Sequence, residues 1–227
     1  MVSRLIIILI LVLTMPCLAD SCKVYLDVCT WINAGSATSN YDGGTTFSYG
    51  YSWNYRWVWL NGAIDDSVTV YGAYTIDSMR TYAYVVSLEN FGTGDSLVMV
   101  AYENLRDAVE NEMTWNIYST GNSWATPGAG GAGTDVSSDS IVLRSTTIKA
   151  GDIAVDDTVL LGTLIGSVVE EGIPYGIIWK VSAYFNDDSR PLFESDDDAV
   201  VAHRPWGMIY MTAGGEEEGG RKVPVTH

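Results

Sequence analysis

The sequence predicts an all-β protein, an antiparallel β-sandwich of jelly-roll-like type, on three observations. Period-two alternation of apolar and polar residues recurs along the chain far more often than a 3.6-residue period. The alternating runs are short and rich in β-branched and aromatic residues, which suit a pleated, half-buried surface. Turn material such as "NGAIDD" and "FGTGD" separates them.

In chain order, residues 1–19 read as a secretory signal: Arg4, the apolar run Leu5 to Leu13, then Cys17-Leu18-Ala19 as the cleavage site. The run is about half of the ~20 residues needed to cross a bilayer, and no later segment is long and apolar enough, so the mature chain is not expected to insert into a membrane. Export makes the protein secreted, extracellular or at the cell surface. The mature chain then starts at Asp20, and residues 20–213 are expected to form one domain. Its two cysteines, Cys22 and Cys29, are expected to pair as a disulfide in an oxidising compartment. The segment from Asp20 to Trp31 also suits a strand exchanged with a neighbouring copy.

Next comes "FSYGYSWNYRWVW", with an aromatic ring at each odd position from 47 to 59. If this run is one strand, Phe47, Tyr49, Tyr51, Trp53, Tyr55, Trp57 and Trp59 share a face. A bend near Gly50 or Asn54 would send the rings into one core. Otherwise they form a glycan platform or an interface between subunits, for which Tyr49, Tyr51, Trp53, Tyr55, Trp57 and Trp59 are the candidates. The runs "SVTVYGAYTI", "RTYAYVVSL", "SLVMVAY" and "MTWNIYS" continue the period of two. Between the last two, Leu105, Ala108, Val109 and Met113 fit helical spacing, so one short helix is expected near 104–112. The glycine-rich stretch 121–138 suits a flexible loop. "TVLLGTLIGSVV" and "YGIIWKVSAYF", joined by "EEGIP", look like a hairpin, and "AVVAH" and "WGMIYMT" like two short strands. Residues 214–227 read as a disordered tail.

Once the leader and its Arg4 are removed, 11 basic residues stand against 28 acidic ones, a net charge of −17. Such a field repels nucleic acid and excludes it as a general partner. The carboxylates cluster in loops, and Asp187, Asp188, Asp196, Asp197 and Asp198 are the candidates for a calcium site. The other account of them is solvated loop charge. Catalytic signals are poor. There is no G-x-S-x-G turn and no glycine-rich loop leading into a helix, and His203 beside Arg204 and Pro205 reads as structural. A secreted glycoside hydrolase would need two carboxyls ~5–9 Å apart, which composition alone does not establish.

These features favour a non-catalytic structural or adhesive surface subunit that assembles with itself as a homo-oligomer or polymer. A glycan-binding module, with polysaccharide as partner, is the alternative. No cofactor is expected beyond the calcium that the acidic loops would take.

Overall fold

The computed structural model describes residues 20–26, 28–48, 56–59, 74–151, 154–170, 175–184 and 190–213. Residues 1–19 and 214–227, together with Tyr49, Tyr51, Trp53, Tyr55, Asp187 and Asp188, lie outside them.

The fold is all-β, antiparallel and sandwich-like. Its strands are β1 (Asp20–Tyr25), β2 (Cys29–Ile32), β3 (Thr46–Ser48), β4 (Arg56–Trp59), β5 (Tyr74–Glu89), β6 (Ser96–Glu103) and β7 (Ile117–Ser119). Then follow β8 (Asn122–Ser123), β9 (Val142–Lys149), β10 (Thr158–Ile165), β11 (Ile177–Tyr184), β12 (Arg190–Glu194) and β13 (Trp206–Ala213), with a helix α1 (Gly166–Glu170) after β10. One continuous path runs β1-β13-β5-β10-β9-β6-β11-β4-β2. Its first half, β1 to β9, is sheet A, and its second half, β9 to β2, is sheet B.

Two features fold this path into a sandwich. Strand β9 belongs to both sheets, because Val142 to Ser145 pair with β10 and Thr146 to Lys149 pair with β6. At the opposite side, only residues 26–28 separate β1 from β2. Four Cα steps reach at most ~15 Å, so the two free ends of the path must lie near each other. Leu26, fully buried in this crossing, donates its amide to the Pro205 carbonyl at 3.0 Å. The far half of β5 leaves sheet A to pair with β12, which in turn pairs with β3.

Alternation decides what fills the space between the sheets. Leu97, Met99 and Ala101 of β6, Met79, Ala83 and Val85 of β5, and Ile209 and Met211 of β13 all point inward to one core. Trp57, Trp59 and Trp179 join them there, packed with Phe47 and Phe193. Helix α1 is held close to β5 by Gly166, where any Cβ would run into the carbonyl of Ile76.

Sheet B is covered on its other face as well. Ile32, Val58 and Ile178 form a second core with Met113, Trp124, Ala129 and Val136. The segment between β6 and β9 is therefore an outer layer. This is why "RWVW" and "GIIW" do not alternate strictly: a strand buried on both faces is apolar at successive positions.

Asp135 organises that layer. Its side chain has no exposed surface. One oxygen accepts the amide of Ala125 at 2.8 Å and the Arg106 Nε at 3.2 Å, and the other accepts the amides of Thr126 at 2.9 Å and Gly131 at 3.0 Å. Burial by itself would raise its pKa, but these donors outweigh it and hold the carboxyl below the ordinary range. Within residues 121–138, which include β8, Trp124, Ala129, Asp135 and Val136 are buried.

Four local expectations are corrected. The stretch 104–112 is not helical, because its amides find other partners: Leu105 donates to the Asp135 carbonyl, Val109 to Tyr118, and the Asn104 side chain holds the backbone of Arg106 in a turn. The helix lies instead at 166–170, within the expected hairpin, and β10 and β11 pair with different strands, in sheets A and B respectively. "AVVAH" ends in a 3-10 turn over Val201–His203. No disulfide joins Cys22 to Cys29. Cys22 lies on β1 in sheet A and Cys29 on β2 in sheet B, where the Cys29 thiol donates to the Leu26 carbonyl at 3.0 Å. The two strands within 20–31 are each paired inside their own chain, β1 on β13 and β2 on β4.

Candidate functional site

The described ends of the aromatic run lie in the core, the first of the arrangements open to it, while Tyr49, Tyr51, Trp53 and Tyr55 fall outside the described residues. Phe47 sits on β3 and Trp57 and Trp59 on β4, so the two described ends of the run belong to different strands. All three rings are buried, Phe47 stacking on Trp57 at 4.8 Å and Trp57 on Trp179 at 6.3 Å. Trp57 and Trp59 are therefore core residues and leave the list of binding or interface candidates.

A different face carries partly exposed rings. On the outside of sheet A, cross-strand pairing places Tyr25, Trp206 and Tyr82 in one row and Lys23, Met208, Arg80, Thr163 and Arg144 in the next. Trp206 stacks on Tyr82 at 4.1 Å. The Lys23 ammonium lies 4.4 Å from the Trp206 ring and 4.7 Å from Tyr25, and the Arg80 guanidinium lies 4.9 Å from Tyr210. Beside this row, Ser78, Arg80, Leu143, Arg144 and Thr163 line a shallow hollow, with Leu143 exposed.

The same face turns acidic at its end. Tyr84, one step along β5 from Tyr82 on the outer face, stacks on His203 at 3.9 Å. Burial, then the negative charges of Asp156, Glu194, Asp157 and Asp198, push the Tyr84 phenol pKa up. Ligand atoms of Glu194, Asp198 and His203 all lie within 4.8 Å of one another. This donor set suits a divalent metal in kind. Its members already serve one another, however: Asp198 Oδ2 faces His203 Nδ1 at 3.4 Å while Oδ1 accepts the Val200 amide at 2.8 Å. Composition gave no sign that His203 and these two carboxylates would meet.

The remaining calcium candidates divide. Asp198 belongs to the cluster just described, Asp197 is exposed, and Asp196 is buried and reaches the opposite way, its Oδ2 accepting the Cys29 amide at 3.0 Å. Near it stands Glu110, which sequence reasoning missed because it sits among residues read as helix. Burial, then the charge of Asp196, raises the Glu110 carboxyl to about 7. Asp196 is raised to about 6, again chiefly by burial.

The sign of the resulting pH dependence follows from linkage. The folded chain holds both protons more tightly than the unfolded chain does. Their stabilising contribution is full below the ordinary carboxylate range and is lost as pH rises through about 6 and then about 7. In metal-free buffer, the urea midpoint is therefore expected to fall between pH ~5 and pH ~8, and Glu110→Gln to flatten the upper part of that fall. An unchanged pH profile in the variant would show that Glu110 does not carry it.

Neither a protein-family model nor a curated protein sequence matches the chain. No helix among the described residues is long and apolar enough to cross a membrane.

Proposed function

We propose that this protein is a secreted, non-catalytic surface subunit that associates with copies of itself through the outer face of sheet A. The observation that carries the reading is the segregation of charge on that one face. Only 12 residues of the chain are Lys or Arg against 28 acidic ones, yet Lys23, Arg80 and Arg144 fall in a single cross-strand row. Asp156, Asp157, Glu194 and Asp198 gather around Tyr84 at the end of the same face. A basic row on one copy is complementary to the acidic end of the next. Such a head-to-tail contact leaves both complementary surfaces free at the ends, and so propagates rather than closes. The rings add apolar area of the kind enriched at interface centres, and the cations stacked over them are already positioned.

The test is sedimentation and electron microscopy of the mature chain at rising concentration. Ordered oligomers or polymers are expected, weakened by salt on the order of 0.5 M because exposed charges are then screened. Arg80→Glu should shift association to at least tenfold higher concentration with an unchanged circular dichroism spectrum. A strictly monomeric solution, indifferent to salt, would refute the reading. The stacked and partly exposed Trp206 and Tyr82 also favour a second reading, a glycan platform. A monomer whose tryptophan fluorescence responds to soluble polysaccharide, with the response lost in Trp206→Ala, would establish that one instead.

A further inference from the structure

We propose that the hollow on the outer face of sheet A is a site for a tetrahedral oxyanion, sulfate or phosphate in type, held between Arg80 and Arg144. Strand register brings the two cations there. Thr163 of β10 pairs with Arg80 of β5 on one side and with Arg144 of β9 on the other. Two steps of ~4.8 Å across the sheet separate the arginine backbones, close enough for both long side chains to reach one group above Thr163. Met79 is buried in the core, so Ser78 and Arg80 on either side of it point outward. Leu143 reaches the same face through a bulge: Arg144 pairs with Thr163 and Val142 with Leu164, which leaves Leu143 without a partner in β10. In an unbroken strand, Leu143 and Arg144 would point to opposite faces. The hollow that these residues line has a volume of about 420 Å³, within the ~300–1,000 Å³ of small-molecule sites.

The state of the donors points to an anion. In a chain with 28 acidic residues, other arginines have found carboxylates: Arg106 pairs with Asp135 and Arg190 with Glu89. Among the described residues, no carboxylate pairs with Arg80 or Arg144. Arg144 has no hydrogen-bond partner among them either. Arg80 uses only Nη1, which donates to the Tyr210 hydroxyl at 3.4 Å while the guanidinium rests over the Tyr210 ring. Tyr210 thereby braces Arg80 and leaves its remaining N–H groups for a ligand. The hydroxyls of Ser78 and Thr163 line the same hollow. A carboxylate offers one planar edge to such a set. A tetrahedral dianion offers an edge to each guanidinium fork, further oxygens to the hydroxyls, and a charge that balances both arginines.

The site goes beyond the self-association reading and does not need it, although a bound dianion would compete with a neighbouring copy's carboxylates for the same two arginines. Its test is an NMR titration of the dilute, monomeric mature chain with sodium sulfate, at an ionic strength held constant with sodium chloride. The Nε–H resonances of Arg80 and Arg144 should shift saturably with a midpoint on the order of 1 mM, while those of Arg106 and Arg190 stay in place. Inorganic phosphate should act in the same way, and acetate at least tenfold more weakly. Arg80→Gln and Arg144→Gln should each weaken sulfate binding at least tenfold, with an unchanged circular dichroism spectrum to report that they are folded. Glucose 6-sulfate separates two sources of the same chemistry. Tighter binding than inorganic sulfate assigns the ligand as a group borne on a sugar, with Leu143 as its apolar wall; equal binding assigns the free ion; both support the site. Shifts still linear at ~50 mM sulfate, shifts that chloride alone reproduces, or binding that survives in Arg144→Gln would overturn it. Polymers formed by a chain that binds no sulfate would remove the oxyanion site alone, and sulfate binding by a chain that never associates would remove the self-association reading alone.

Discussion

Replacing Asp135 with alanine is expected to cost about 3–5 kcal/mol of stability, the range for breaking a buried, charge-assisted network by removing one partner. The carboxylate serves three backbone amides and the Arg106 guanidinium at once. Alanine would leave those amides without an acceptor in a place that water does not reach. Asparagine should be nearly as damaging, since its NH₂ would face an amide donor on one side. Because Trp124 lies in the same layer, with its indole donating to the Thr114 carbonyl at 3.0 Å, its environment should change along with the urea midpoint. A cost below ~1 kcal/mol would mean that the 121–138 loop is not held by this residue.

That loop also shows where reading the sequence stopped. Strands announce themselves by local alternation, so β5, β6, β11 and β13 are each visible in isolation. The layer over sheet B is not. Its buried residues, Met113, Trp124, Ala129 and Val136, are spread among glycines at no fixed period, and the acceptor that orders them is a single aspartate. The sequence did hold one indirect sign, the unbroken apolar "RWVW" and "GIIW", which imply a cover on both faces without saying what provides it. Pairing failed for the same reason. β10 and β11 are close in sequence and both apolar, but α1 lies between them and each joins a strand more than fifty residues away, β5 and β4 respectively.

The candidate surfaces were legible only in part. Tyr82 and Tyr84 stood out as one side of an alternating strand, but Ala83 and Val85 turned out to be the inward side, which puts the rings on the outside. Lys23, Arg80 and Arg144 belong to three strands, and only strand register makes them neighbours of the same row. Acidic loops could be counted but not sorted: two residues apart, Asp196 goes to the Cys29 amide and Asp198 to His203.

Trp57→Ala is expected to destabilise the fold by about 3–5 kcal/mol, the cost of emptying a large aromatic site in a packed core. The ring has no exposed surface and lies between Phe47 and Trp179. Neither neighbour can close the gap freely, since Phe47 is also held against Phe193 at 5.2 Å and Trp179 lies on β11 between two paired strands. Trp57→Phe separates volume from polarity. The indole Nε1 of Trp57 is buried with no hydrogen-bond partner, so phenylalanine removes an unsatisfied donor while keeping a ring against Phe47. Its cost should be no more than about 1–2 kcal/mol, well below that of alanine. A surface tryptophan would behave otherwise, with both substitutions within about 0.5 kcal/mol of the parent in urea denaturation. That outcome would return Trp57 to the outside of the protein and reopen the 47–59 run as its contact face.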